Sequence, residues 1–246
     1  MSHTSESTYH RAYDALPTIK DPRPAAVDTF FKQHLHSAPY HQILESINTA
    51  SLLAGLPDIA CSAPQAKLLM LEAGMCRARH VLEIGTLGGY SAAWLATASP
   101  NTRVTTIEID RTFASIARAN LEKAKLIDRV EILQGSGLDV LGEIKRGVDT
   151  GERARFDFVF IDANKQDNLA YLDAVMGVTK SGAVIVVDNV VRDGKVVSAE
   201  EAEMDDRVKG TRELICAMGK MENLEATAIQ TVGEKNYDGF LIAIRQ

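Results

Sequence analysis

The sequence predicts an α/β fold: a doubly wound, mostly parallel seven-stranded sheet with helices on both faces and one antiparallel edge strand. Three observations predict it. Residues 80–91 read H-V-L-E-I-G-T-L-G-G-Y-S, a short apolar strand, a glycine turn and a helix start, which is the opening unit of such a sheet. Beyond that turn, apolar runs keep alternating with helical patterns, giving five β-then-α units in all. The last two runs, 225–231 and 239–244, are joined by a connection short enough for a hairpin.

In chain order, residues 1–25 are polar, carry Pro17, Pro22 and Pro24, and predict extended or partly disordered chain. Helical patterns occupy 26–53, broken at Pro39. This segment holds His34, His36 and His41, and its polarity predicts solvated helix faces rather than a metal site. Ser62, with Pro64 two residues on, predicts a helix through about residue 74, because a hydroxyl cap and a first-turn proline both suit a helix start. Ala66, Leu69, Met70 and Ala73 fall on one face of it.

After strand 81–84 and helix 90–98 come strand 104–108, helix 112–125 and strand 130–133. The turn 135–137 leads to a short helix, 138–146, and a polar connection with Gly147 and Gly151. F-D-F-V-F-I-D predicts a buried strand ending in Asp162. A helix over 168–178 leads to A-V-I-V-V-D, a strand ending in Asp188. One helix is predicted over 199–220 before the closing strands.

At 246 residues the chain can bury a full core. Lys and Arg total 27 against 33 Asp and Glu, a formal charge of −6, which argues against nucleic acid as the main partner. Cys61, Cys76 and Cys216 lie far apart with no C-x-x-C, as expected of free thiols in a reducing, cytoplasmic setting. No apolar run reaches the roughly 18 residues of a spanning helix, and the polar N-terminus has no signal-peptide core; no membrane partner is expected.

In a parallel doubly wound sheet the carboxyl ends of the strands share one edge, and ligands bind there. A dinucleotide fingerprint would need glycine at position 87, which is Leu87, so a nicotinamide dehydrogenase is disfavoured. Glu83 sits inside the first strand end, where it would repel a pyrophosphate but suit cationic or hydroxyl groups. Glu108 ends V-T-T-I-E, well placed to grip a ribose diol. E-x-G-x-x-x-G-Y-S followed by that acid resembles the S-adenosylmethionine site of class I methyltransferases, whose fold is Rossmann-like.

Asp162, Asp188 and Asn189 form a second group at the same edge. Two carboxylates and an amide oxygen, with no Cys or His, suit Mg²⁺, Mn²⁺ or Ca²⁺ rather than zinc. The competing structural reading is that both aspartates cap the turns that follow. Lys165 lies three residues after Asp162; beside a divalent cation and a sulfonium it would be pushed toward its neutral form and could accept a phenolic proton.

F-I-D-A-N-K, V-V-D-N-V-V-R-D-G-K-V and the glycine stretch together resemble the cation-dependent O-methyltransferases of the catechol and caffeoyl-CoA group, from about residue 55 to the end. The resemblance implies that Glu83, Gly85, Ser91, Glu108, Ser136 and Asp162 contact the cofactor, with Thr86, Leu87 and Cys61 beside them. Ser91 would reach the methionine carboxylate, Glu108 the ribose hydroxyls and the Ser136 region the adenine. It also implies Asp162, Asp188 and Asn189 as metal ligands, Lys165 as the catalytic base beside Asp162, and a homodimer. Residues 56–246 would then form the methyltransferase domain, and 1–55 an extension serving the substrate side and oligomerisation.

Some positions depart from the group. Asn164 stands where the plant enzymes carry an acid and the animal catechol enzyme a tryptophan. Arg192-Asp193 replace the animal enzyme's apolar gate. The N-terminal segment does not match the plant enzymes' acyl-CoA contacts. The expected acceptor is a small vicinal diphenol of catechol, caffeoyl or flavonoid type, selected by residues 26–60, 192–197 and 235–238. The alternatives are a metal-independent class I methyltransferase and a non-catalytic S-adenosylmethionine-binding protein of the same fold.

Overall fold

The apolar runs become β1 (His80–Ile84), β2 (Arg103–Glu108), β3 (Val130–Gln134), β4 (Phe156–Ile161), β5 (Thr179–Asp188), β6 (Leu224–Val232) and β7 (Tyr237–Arg245) in a computed structural model that describes residues 21–36 and 38–246. They form one sheet in the order β3-β2-β1-β4-β5-β7-β6. β1 to β5 pair in parallel, and β7 is antiparallel to both neighbours. The expected antiparallel pairing is therefore at the edge, but β6 is the outermost strand and β7 folds back inside it. Composition explains the order. G-F-L-I-A-I in β7 buries Phe240, Leu241 and Ala243 and needs a neighbour on each side, whereas β6 is almost wholly exposed and tolerates the rim.

The helices are α1 (Arg23–Leu35), α2 (Pro39–Leu53), α3 (Ala63–Met75), α4 (Tyr90–Ala96), α5 (Arg111–Lys123), α6 (Gly137–Asp149), α7 (Asn168–Met176), α8 (Ala199–Met204) and α9 (Asp206–Met218). Two cores sandwich the sheet. Phe158 and Phe160 pack with Trp94, Leu69 and Leu121 on one face. Val159 and Ile161 pack with Leu141, Leu172 and Leu214 on the other. This is the two-residue alternation of a strand buried on both sides.

The expectation for residues 1–20 lies outside the described residues. Residues 23–25, expected to be extended, already belong to α1: Pro24 falls in its first turn, where no N–H partner is needed. The predicted helix 138–146 extends from Gly137 to Asp149. The single helix predicted over 199–220 is two, divided where Asp205 adopts an extended conformation and accepts the main-chain N–H of Arg207 at 2.9 Å. Among the described residues no helix is long and apolar enough to cross a membrane.

The histidines are the clearest correction. His34 is exposed, but His36 and His41 are 7% and 4% exposed rather than solvated. Their rings lie 5.5 and 5.0 Å from that of Trp94, and His41 is stacked on it. Polarity averaged over the segment concealed that its inner face must cover α4, whose residues are all buried. Burial lowers the pKa of both imidazoles.

Candidate active site

The turn after β1 is held by its neighbours. Gly85 has φ +101°, and a methyl group there would lie 2.2 Å from the carbonyl oxygen of Asp162, so only glycine lets β1's turn lie against the end of β4. The main-chain N–H of Asp162 donates to Ile84 O at 2.8 Å across the same junction. Gly88 meets α2 as closely: an added methyl would fall 1.9 Å from Ser51 Oγ. Glu108, at the end of β2, accepts from the N–H groups of Thr86 (3.2 Å) and Leu87 (2.8 Å) through Oε2 and of Asp110 (2.9 Å) through Oε1. The acid expected to face a ribose is thus also the clamp that shapes the turn, and it tolerates Leu87 at φ +49°.

Glu83 is fully buried. Its Oε2 accepts from Thr106 Oγ1 at 2.5 Å, and Thr106 in turn shares a 2.6 Å hydrogen bond with Thr86. Its Oε1 makes no close hydrogen bond among the described residues, the Ser91 hydroxyl being the nearby group that favours its charge. Burial raises its pKa to about 8, against the opposing hydroxyls of Ser91 and Thr106. A buried carboxylate oxygen without a close donor is costly, and a cationic ligand group would relieve it. Ser91, in the first turn of α4, is buried. Ser136 precedes α6 in an extended conformation and makes no side-chain cap bond, so its hydroxyl is not committed to the helix.

At the adjoining strand ends Lys165 Nζ donates to Asp162 Oδ1 at 2.6 Å. Asp188, at the end of β5, is buried; burial and the charge of Asp162 raise its pKa. Asn189 follows at φ +58°, a left-handed conformation that asparagine tolerates better than most residues. Cys61 is buried beside these acids; burial and the charges of Asp188, Asp162 and Glu83 raise its thiol pKa. The structure therefore gathers Glu83, Gly85, Thr86, Leu87, Glu108, Asp162, Lys165, Asp188, Asn189 and Cys61 at one edge, while Ser136 stands at the end of the outer strand β3. Among the described residues no three His, Cys, Asp or Glu side chains make a metal cluster. An ion at Asp162 and Asp188 would depend on the Asn189 amide as its third protein ligand, and a crowded pair of acids with one amide oxygen fits a hard cation.

The segments expected to select the acceptor meet one another. Asp28 Oδ2 accepts the N–H of Glu234 at 2.7 Å, and Lys235 pairs with Asp58. Asp238 Oδ1 accepts from the N–H groups of Val191 and Arg192 at 3.0 and 2.9 Å. Sequence reasoning missed Thr106 and Gln65. Thr106 had a signal, since a hydroxyl inside a buried strand needs a partner. Gln65 had none, because its partner Asp188 is 123 residues away.

A family model described as O-methyltransferase matches residues 34–235. A catechol O-methyltransferase from Mycobacterium tuberculosis is 44% identical over 92% of this chain and 97% of its own length. Among solved structures, the O-methyltransferase TomG from Streptomyces achromogenes, involved in tomaymycin synthesis and solved with SAM, is 40% identical, with a TM-score of 0.85 over 93% of this chain and 99% of that one. The O-methyltransferase from Bacillus cereus solved with SAH is also 40% identical, with a TM-score of 0.84 over 91% of this chain and 99% of that one.

Proposed function

The chain belongs to the O-methyltransferase family, and on that premise we propose that it moves a methyl group from S-adenosylmethionine to one hydroxyl of a vicinal diphenol, with a divalent cation bound at Asp162, Asp188 and Asn189. The observation that carries the reading is the crowding of Asp162 and Asp188 at the ends of adjacent parallel strands. Two carboxylates set side by side, Asp188 buried and Asp162 half-buried, are unfavourable without cationic compensation, and Lys165 supplies a single charge. Capping alone accounts poorly for this pair. The relatives named above supply independent support for the donor.

When bound, S-adenosylmethionine supplies an electrophilic methyl group and a divalent ion, Mg²⁺ before Mn²⁺ or Ca²⁺, supplies Lewis acidity toward two adjacent phenolic oxygens. The chain's residues do the rest. Glu83 Oε1 accepts from the cationic end of the cofactor, Glu108 binds its ribose hydroxyls, and Ser91 and the Ser136 turn hold its two extremities. Lys165 Nζ, once it has given up a proton to solvent and carries a lone pair, takes the phenolic proton; such proton transfer contributes typically about 10²–10⁴-fold. Gly85 lets the two turns lie against each other, and alignment of reactants on such a frame can supply about 7–11 kcal/mol.

The test is methyl transfer to a vicinal diphenol and to the matching monophenol, each in EDTA and with Mg²⁺ restored. The reading predicts product only from the diphenol and only with Mg²⁺. Activity undiminished by EDTA selects the metal-independent alternative. Cofactor binding with no transfer to any catechol, caffeoyl or flavonoid acceptor selects the non-catalytic one.

A further inference from the structure

Asp188 Oδ1 accepts two hydrogen bonds, one from the Asn189 main-chain N–H at 2.8 Å and one from Gln65 Nε2 at 2.7 Å. A carboxylate only accepts, so the amide nitrogen of Gln65 must be the atom that faces it. Gln65 stands in the first turn of α3, where its main-chain N–H reaches the capping Ser62 Oγ at 3.4 Å and Pro64 precedes it. The donor thus comes from the fixed start of a helix rather than from a loop. With both donors on Oδ1, Oδ2 accepts no hydrogen bond from the described residues.

We propose that Gln65 is a positioning residue for Asp188: by occupying Oδ1 it turns Oδ2 alone toward the divalent ion. This rests on the metal reading given above. The residue type suits the task. An amide donates without adding charge, whereas Glu at position 65 would place a third acid against Asp188 and Lys would compete with the ion. Partners that orient a ligand in this way tune metal affinity from outside the coordination sphere.

The experiment is calorimetric titration of Mn²⁺ into metal-free wild type, Gln65→Met, which keeps the length but donates nothing, and Gln65→Ala, with S-adenosylmethionine affinity measured in parallel. Gln65→Met should weaken Mn²⁺ binding about 10–100-fold while S-adenosylmethionine binding stays within about twofold, and turnover at saturating Mn²⁺ should recover. Gln65→Ala should match it and serves in its place if Gln65→Met does not fold. Unchanged Mn²⁺ affinity in a folded variant overturns the proposal, as does loss of both affinities together. Failure of the wild type to take up Mn²⁺ overturns the metal reading itself, a result distinct from equal uptake by wild type and variant.

Discussion

Lys165 Nζ donates to Asp162 Oδ1 at 2.6 Å, and a methyl group added at Gly85 would strike the carbonyl oxygen of the same aspartate. Lys165, the acid at the end of β4 and the glycine turn after β1 are consequently one mechanical unit. What shifts any of them should alter turnover before it alters the fold.

Lys165→Met removes the amine proposed to accept the phenolic proton while keeping the aliphatic stem. Its kcat should fall about 10²–10⁴-fold, with S-adenosylmethionine affinity retained in a binding titration. A kcat equal to wild type would remove Lys165 from the reaction.

Gly210 on α9 faces the main chain of the Lys165 turn: an added Cβ would lie 2.5 Å from Lys165 O and 2.6 Å from Gln166 Cα. Alanine in mid-helix is ordinarily favoured over glycine by up to about 1 kcal/mol, yet here it must push α9 from that turn. Gly210→Ala should therefore lower stability by about 1–3 kcal/mol, the usual cost of overpacking, and reduce kcat with it. Denaturant unfolding and steady-state rates check both; a more stable variant would contradict this packing.

Glu72 is buried on α3 with Oε2 unpartnered among the described residues, and burial raises its pKa to about 7. A carboxyl whose pKa is higher folded than unfolded favours the fold below its ordinary range near 4.5, and that contribution is lost as pH rises through 7. Glu72→Gln should match wild type near pH 4.5 and be more stable above pH 7, by roughly 1–3 kcal/mol. Melting curves from pH 4.5 to 8 measure it; a difference constant across that range would contradict the shift.

The sheet and its acidic edge were legible because both are local. Apolar runs ending in Glu83, Glu108, Asp162 and Asp188 declare strand and site together, since an acid at the end of a buried run needs a reason. The contacts joining those ends were not. Gln65 reaches Asp188, and Asn120 reaches Ser51 and Gly88 O, by tertiary packing that leaves no periodic trace. The order β5-β7-β6 turns on which strand of a hairpin needs two neighbours, and His36 and His41 turn on what α4 requires as cover. Averages over a segment hide both.

Replacing Asp188 by Ala and measuring S-adenosylmethionine affinity beside turnover of a vicinal diphenol in Mg²⁺ tests the central claim most directly. The account predicts affinity near wild type with turnover abolished, because it assigns Asp188 to the ion and gives it no contact with the donor, whereas Asp162 serves both. Wild-type turnover by Asp188→Ala would contradict it.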